Sequence, residues 1–242
     1  MQAEEIGNLD QYLNKLAENI PKTLLEKLPP VVAFRPSNDL PDPSPKLKGV
    51  RIAVASDIAF SFVYHANLNL LQAMGAELKF FSPLADKALP EVDSLYLPGG
   101  YPELHVEELE ANHSIRAAIQ NHHTAGKPIV AECGGMLYLL TTLTNQHGQQ
   151  ANLVNILPGH ATMQKRLTNL GFHTTTFPDG ELRGHTFHHS QMKTSVKPSA
   201  HSQPARKGLQ PESLFCLGRL TASYMHWYMP SNPNVTAALF SP

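Results

Sequence analysis

The chain has 242 residues, 42% of them hydrophobic and 16% charged, and a formal net charge of −1 with neutral histidines. These values are typical of a globular protein, and they exclude an electrostatic surface for nucleic acid or for an anionic membrane. No apolar run reaches the roughly 18 residues of a membrane-spanning helix, and the two cysteines do not suggest a disulfide framework, so a cytoplasmic location is expected.

Residues 1–35 are predicted to be helical. Their apolar positions recur at helical spacing, as expected for one face of a helix: Leu9, Leu13, Leu16 and Ile20. A second short apolar segment, Leu24–Leu28, ends at a pair of prolines. Four prolines then fall between residues 36 and 46, which predicts a linker over 36–48 before a domain that covers 49–242.

Beyond the linker, short β-type runs alternate with helical segments. The predicted strands are RIAVA (51–55), ELKFF (77–81), SLYLP (94–98) and PIVAE (128–132). The predicted helices cover 62–74, 107–125 and 136–143. This alternation predicts a parallel, doubly wound α/β sheet. From about residue 150 the sequence becomes strand-rich, and residues 190–213 are predicted to form an exposed loop.

Cys133 lies between a predicted strand and a predicted helix, in the sequence AECGG. Gly134 and Gly135 make a tight turn sterically possible there, as in the nucleophile elbow of hydrolases, although Ala131 replaces the first glycine of that pattern. The start of the following helix would favour a thiolate, and the Gly134 N–H is placed to stabilise an oxyanion. The alternative is a structural cysteine buried between strand and helix.

A second Gly-Gly turn ends the strand in LYLPGGYPEL (95–104). Doubly wound sheets bind ligands outside the carboxyl ends of their strands, so the two turns are expected to face each other across a small pocket. The Gly100 N–H would then be a second oxyanion donor. The alternative is a plain turn.

Among the thirteen histidines, His226 is the strongest candidate for a general base. It lies near the end of a β-type run, just before a Ser-Asn-Pro turn, where a base could reach the elbow. His122 and His123 are predicted to be solvated, and alternation in RGHTFHHS places His185 and His189 on one face of a strand. Neither group has convincing zinc spacing with the cysteines, so no metal site is expected.

Two other residues are predicted to be structural. Cys216, in the apolar run SLFCLGRL, is predicted to lie in the core, and Trp227 is predicted to pack rather than to bind a ligand.

Several segments, in this order and spacing, resemble the glutamine amidotransferase domain of cobyrinic acid a,c-diamide synthase. The motifs that carry the resemblance are LYLPGGYPEL, AECGGMLYL, RGHTFHHS and ASYMHWYMPSNP. Three further segments fit the same family: RIAVASDIAFSFVYHANLNLL, AELKFFSPLAD and LPGHATMQKRLTNLGF. The resemblance covers 49–242 and implies a class I glutamine amidotransferase-like (flavodoxin-like) fold, with a mostly parallel sheet flanked by helices.

On this sequence the resemblance assigns Cys133 as the nucleophile and His226 as the histidine that activates it. The backbone N–H groups of Gly100 and Gly134 match the oxyanion hole. The family chemistry is attack of the thiolate on the side-chain amide of glutamine, loss of ammonia, and hydrolysis of a glutamyl thioester.

Two residues are further candidates for binding glutamine. Tyr101, beside the second Gly-Gly turn, would line the glutamine pocket, and Arg166 would contact the α-carboxylate. The alternatives are an ordinary loop tyrosine and a surface arginine.

The sequence departs from the family pattern at three positions. Tyr228 occupies the place, two residues after the histidine, where many amidotransferases of this class have an orienting glutamate, so a Cys–His dyad is expected and the orienting partner is unassigned. Thr186 and His189 replace a glutamate and a tyrosine in the usual G-H-E-F-H-Y-S. The missing carboxylate at 186 puts the support of the site in question.

The family also has an N-terminal ATP-dependent domain, whereas this chain has no G-x-x-x-x-G-K-[ST] motif. Residues 1–35 resemble the tail of that domain. We therefore expect either a separate synthetase polypeptide or a fragment that begins at an internal methionine, and the uncovered amphipathic helix favours the fragment. No cofactor is expected on this chain, and ATP and Mg²⁺ are expected on the synthetase domain. The expected partners are glutamine and cobyrinate or a related tetrapyrrole, with no nucleic acid or membrane; a homodimer is left open.

Three functions follow. The first is the ammonia-supplying half of an ATP-dependent cobyrinate a,c-diamide synthase in cobalamin biosynthesis. The second is a non-catalytic remnant or binding module, which the departures and the absent synthetase domain favour. The third is a freestanding cysteine hydrolase on the same sheet, which leaves the ASYMHWYMPSNP segment unexplained.

Overall fold

The computed structural model describes residues 7–21, 30–33 and 43–242. The chain divides into two units, Met1–Asp39 and Leu40–Pro242. In the first unit helix α1 covers Leu9–Glu18 and buries none of its side chains. The predicted apolar segment at 24–28 and most of the predicted linker lie outside the described residues. Within the described part of the chain, no helix has the length and hydropathy needed to cross a bilayer.

The second unit is built on the following strands, in chain order: β1 Arg51–Ala55, β2 Glu77–Phe81, β3 Ser94–Leu97, β4 Ile129–Glu132, β5 Leu140–Thr144, β6 Gln150–Asn152, β7 Leu157–Met163, β8 Asn169–Phe177, β9 Gly180–His188, β10 Ser190–Thr194, β11 Ala200–His201, β12 Gln203–Pro204, β13 Ser213–Leu217, β14 Leu220–Ser223 and β15 His226–Tyr228. Its helices are α2 His65–Ala73, α3 Val106–Ala111, α4 His113–Thr124, α5 Gly134–Tyr138 and α6 Pro233–Phe240, with short 3₁₀ helices at Pro102–Leu104 and Met229–Ser231.

The central sheet of residues 43–242 has seven strands in the order β11-β13-β14-β4-β3-β1-β2. The strands from β14 to β2 are parallel, while β13 and β11 extend the sheet in antiparallel pairing. Two four-stranded sheets, β10-β7-β5-β6 and β12-β8-β9-β15, complete the three sheets of the described residues. The predicted doubly wound sheet is therefore confirmed.

Alternate residues of the inner strands bury into hydrophobic clusters on opposite faces of the central sheet. On β3, Leu95 and Leu97 belong to one cluster and Tyr96 to the other. Ile129 and Val130 divide between the faces of β4 in the same way. Strands covered on both faces read as continuous apolar runs, which is why RIAVA and PIVAE were recognisable.

The predicted helices differ from the structure in two places. The predicted helix 107–125 is broken at Asn112, whose side-chain amide donates to the carbonyls of Pro83 and Asp86, both at 2.8 Å. The predicted helix 136–143 ends at Tyr138, because Leu140–Thr144 pairs with β6 and β7 as a strand. In both cases hydrogen bonds with a distant segment outweigh the helical preference of the local sequence.

Three further predictions were wrong in whole or in part. The stretch 190–213 is largely exposed, as predicted, but it is not a loop, because it contains β10, β11 and β12, of which β10 pairs with β7. Cys216 is exposed, although its neighbours Leu214 and Phe215 on β13 are buried. His122 is buried and its Nε2 donates to the carbonyl of Pro128 at 3.1 Å.

The burial of His122 predicts a pH-dependent contribution to stability. Burial lowers its pKa to about 4, whereas the unfolded chain would titrate near 6.5. The neutral imidazole therefore stabilises the fold above about pH 6.5, and this contribution is lost as the pH falls through 4. We expect the stability advantage of the wild type over His122→Gln, measured by urea unfolding, to shrink between pH 7 and pH 5. A difference that is constant over this range would contradict the prediction.

Candidate active site

Cys133 forms the turn between β4 and α5. Its φ is 43° and its ψ is −105°, a conformation that a non-glycine residue adopts only when the surroundings impose it. Its backbone N–H donates to the carbonyl of Ser223 on the neighbouring strand β14 at 2.8 Å. The predicted strained strand–turn–helix is therefore present, and the cysteine is 7% exposed at the carboxyl end of the sheet.

The two Gly-Gly turns contact each other, as predicted. A Cβ at position 134 would lie 2.9 Å from both the nitrogen and the oxygen of Gly100. A Cβ at position 135 would lie 2.0 Å from the carbonyl oxygen of Leu97, the last residue of β3. A side chain at either position would overlap with neighbouring backbone atoms, so both positions require glycine.

A small cavity of about 160 Å³ opens where these turns meet. Its wall consists of Phe62, Gly100, Tyr101, Cys133, His185, Phe187 and His226. Four of the residues predicted from the sequence therefore share one pocket, and Gly134 lies against Gly100 in its wall. Arg166 does not join them: it lines a separate cavity together with Gln164 and Lys165, so the expected contact with an α-carboxylate is not supported.

His226 reaches this pocket from a different sheet. It is the first residue of β15, pairs with His185 of β9, and is 4% exposed. Its ring stacks on the ring of His185, with centroids 5.1 Å apart, and meets Phe62 edge-on at 4.5 Å. A Cβ at position 99 would lie 2.3 Å from its Cε1, so the first glycine of the second turn makes room for this imidazole.

Burial has the largest effect on the pKa values of Cys133 and His226. It raises the pKa of the Cys133 thiol well above its usual range, and the nearby Glu103 carboxylate adds to this effect. Burial also lowers the pKa of His226 to about 3, with further lowering from His185 and His188. The thiol accordingly donates to the carbonyl of Phe187, with the sulfur 3.8 Å away.

Burial of Cys133 therefore opposes the resting thiolate that the helix start was expected to favour. Helix α5 has only five residues, and its dipole does not offset the desolvation of a buried charge. Both pKa shifts favour a neutral thiol and a neutral imidazole, an arrangement in which the thiol proton would move to the imidazole as the sulfur attacks.

His185 is a pocket residue that the sequence reasoning did not single out. Its Nδ1 lies 2.6 Å from the hydroxyl of Tyr64, and burial lowers its pKa. The signal was available, because His185 is the first of the three histidines in the resemblance motif GHTFHHS.

A carboxylate from a distant residue lies beside Thr186, the position at which the family pattern has a glutamate. The buried Glu212 accepts hydrogen bonds at Oε1 from Thr186 Oγ1 (2.9 Å), from His188 Nε2 (3.0 Å) and from Asn169 Nδ2 (2.6 Å). Burial raises the pKa of Glu212, but the hydrogen bonds, that from His188 foremost, outweigh it and lower the pKa overall. The sequence reasoning missed Glu212 because it lies in the stretch interpreted as an exposed loop.

Glu212→Ala is expected to destabilise the fold by about 3 kcal/mol, because three buried donors lose their common acceptor. The measurement is the free energy of unfolding in urea. Glu91→Ala is the control: this exposed glutamate pairs with Arg51 at 3.2 Å, and its loss is expected to cost less than about 1 kcal/mol. Equal effects in the two variants would contradict a structural role for the Glu212 cluster.

Comparison with solved structures defines the class of fold. The chain is similar to a structure described as a glutamine amidotransferase, with a TM-score of 0.53 and 17% identity over 78% of this chain and 96% of that one. It is also similar to PurLQS from Thermotoga maritima, with a TM-score of 0.51 and 16% identity over 73% of this chain and 87% of that one. This likeness shows a class I glutamine amidotransferase fold.

A family model described as the CobB/CobQ-like glutamine amidotransferase domain matches residues 51–234, and the chain belongs to this family. It is 51% identical to a hydrogenobyrinate a,c-diamide synthase from Pseudomonas aeruginosa, over all of this chain and 55% of the relative. It is 42% identical to a cobyrinate a,c-diamide synthase from Herminiimonas arsenicoxydans, over all of this chain and 56% of the relative. The chain thus spans a little more than half the length of these relatives.

Proposed function

We propose that the chain is the glutamine-hydrolysing part of an ATP-dependent cobyrinate or hydrogenobyrinate a,c-diamide synthase in cobalamin biosynthesis. The observation that supports it most is the shared pocket, in which the elbow cysteine Cys133 meets His226 beside the two Gly-Gly turns. The identity of the molecule that accepts the ammonia is inferred from the names of the relatives, to which this chain is similar over its whole length.

The proposed reaction begins when the sulfur of Cys133 attacks the side-chain amide carbon of glutamine and His226 takes the thiol proton. The N–H groups of Gly100 and Gly134 stabilise the negative oxygen of the tetrahedral intermediate. His226 then protonates the departing nitrogen, and ammonia leaves a glutamyl thioester. Water, deprotonated by His226, hydrolyses the thioester, which releases glutamate and restores the thiol.

We further propose that the portion of the relatives outside the match binds ATP and Mg²⁺ and the tetrapyrrole. Ammonia made at Cys133 would aminate carboxylates that this portion has activated. Exposed aromatic side chains offer that portion a contact surface: Phe62 and Phe187 line the pocket, and Phe172 and Tyr228 line a neighbouring cavity that shares His185 with it. The proposed compartment is the cytoplasm, because Cys133 and Cys216 are free thiols and a thiol nucleophile is kept reduced there.

The test is glutamate release from L-glutamine by the purified chain, alone and with the separately expressed remaining portion of the Pseudomonas aeruginosa relative. We expect release that this portion increases, and, with ATP, Mg²⁺ and hydrogenobyrinate, an amidated product detectable by mass spectrometry. Absence of release under both conditions, from a folded protein, would contradict the proposal and favour a non-catalytic remnant. Glutamate release whose rate does not change with the added portion, and that yields no amidated product, would favour a freestanding hydrolase.

A further inference from the structure

Glu132 is a buried carboxyl group next to the proposed catalytic pair. It is the last residue of β4, directly before Cys133, and is 1% exposed. Its Oε1 accepts the backbone N–H of Trp227 at 3.1 Å, and its Oε2 accepts the hydroxyl of Tyr96 at 3.0 Å. The same Oε2 lies 4.0 Å from Nδ1 of His226.

Nδ1 of His226 is a buried nitrogen without a hydrogen-bond partner in the described part of the chain. The ring has little freedom to find another one, because it is held between His185, Phe62 and Gly99. Glu132 is the carboxyl group that faces it. A movement of about 1 Å would close the gap to a normal hydrogen bond, and such contacts are often long before substrate binds.

We propose that Glu132 is the positioning residue for His226: its carboxylate accepts the Nδ1 proton and leaves Nε2 as the base for the Cys133 thiol. This inference rests on the proposed glutamine hydrolysis. Many amidotransferases of this class have the orienting carboxylate two residues after the histidine, where this chain has Tyr228. In our proposal Glu132, at the end of β4, provides that carboxylate instead. The residue before the nucleophile thereby orients the base.

The surroundings of Glu132 fit a carboxylate that only accepts hydrogen bonds. Trp227 offers a backbone N–H, which can only donate. The hydroxyl of Tyr96 is left to donate to Glu132, because its oxygen accepts the Asn67 side-chain amide at 3.5 Å. The same amide donates to the carbonyl of Trp227 at 2.8 Å, so Asn67 ties this cluster to β15. With Nδ1–H of His226, three donors would surround the two oxygens.

The pH dependence of the pair follows from the burial of Glu132. Burial raises its pKa to about 8, although the hydrogen bonds from Tyr96 and Trp227 oppose this. The titratable groups that face or influence it are Tyr96 on β3, His226 on β15, Cys133 after β4, and Tyr64 before α2. As Glu132 loses its proton, His226 adopts the tautomer that can act as a base, so reactivity of Cys133 should rise as the pH passes through about 8.

The experiment uses a Cys216→Ser background, in which Cys133 is the only thiol. Glu132→Gln is expected to lower kcat for glutamine hydrolysis about 100-fold or more with little change in KM, because the glutamine amide can donate to Nδ1 and so favours the wrong tautomer. The pH profile of Cys133 alkylation by iodoacetamide is the second readout. It should rise near pH 8 in the background chain and about one unit or more higher in Glu132→Gln.

Two further variants separate positioning from structure. Thr175→Val removes the buried hydroxyl oxygen that accepts the Nε1–H of the same Trp227 at 3.2 Å, so it should lower stability and leave the alkylation profile unchanged. Glu132→Asp keeps an ionisable carboxyl and should restore part of kcat and the lower-pH rise. If Glu132→Gln does not fold, the kcat and the alkylation profile of Glu132→Asp are compared with those of the background chain to decide whether Glu132 pairs with His226.

The outcomes distinguish this inference from the proposed function. A folded Glu132→Gln variant with the background kcat and alkylation profile would overturn the role of Glu132 while glutamine hydrolysis stands. If the background chain hydrolyses no glutamine, either alone or with the added portion of the relative, the proposed function fails, but a shifted alkylation profile would still support the pairing of Glu132 with His226. An unshifted profile would reject that pairing.

Discussion

Cys133→Ala is expected to reduce glutamate release by a factor of about 10⁴ or more, because no other residue of the pocket can form the thioester. The other polar side chains that line it are the tyrosine Tyr101 and the imidazoles His185 and His226. The assay is the rate of glutamate formation from glutamine. Unfolding in urea should show that the variant keeps its structure, since the sulfur makes only a weak hydrogen bond to Phe187.

Cys216→Ser is the matched control. Cys216 is exposed on β13 and does not line the pocket, so this variant should retain glutamate release and should still be alkylated at Cys133. Equal loss of activity in both variants, or retained activity in Cys133→Ala, would contradict the assignment of the nucleophile.

Gly135→Ala is expected to destabilise the fold by about 3 kcal/mol or more. Helix propensity alone predicts the opposite sign, because alanine replaces glycine inside α5 with a gain of about 1 kcal/mol. However, the added Cβ would lie 2.0 Å from the carbonyl oxygen of Leu97 and 2.7 Å from that of Pro98. Neither is the end of a flexible side chain, so β3 and α5 would have to move apart. Urea unfolding measures the loss, and glutamate release should fall with it.

Gly148→Ala is the comparison for a glycine that needs only an unusual backbone angle. Its φ is +80° and a Cβ there would meet nothing within 4 Å, so the expected cost is about 1 kcal/mol. If Gly135→Ala costs no more than Gly148→Ala, the close approach of the two turns is not what requires glycine at position 135.

The parallel strands and the elbow could be predicted because their causes are local. A strand covered on both faces is apolar throughout, and a tight turn at Cys133 needs glycine immediately after it, so both features are visible in a few consecutive residues. The predicted strand 51–55 matches β1, and the predicted strand 77–81 matches β2. The second Gly-Gly turn could be placed because neighbouring parallel strands end at the same edge.

The errors arose where distant segments compete with local pattern. Residues 140–143 were predicted to be helical, but β7 offers them a strand partner, and Asn112 ends a helix because carbonyls of the 83–86 loop accept its amide protons. Cys216 lies in an apolar run yet is exposed, although Leu214, on the same side of β13 by strand alternation, is buried.

The sequence by itself determined the class of sheet, the position of the strained cysteine, and the glycines that let two turns touch, since each depends on neighbouring residues. Only the tertiary structure decided which groups surround that cysteine. His226 comes from another sheet, and Glu212 brings a carboxylate to Thr186. Glu132 lies near His226 only because the start of β15 packs against the end of β4. Such contacts join residues 26 to 94 positions apart, and side-chain packing, which no local pattern encodes, brings them together.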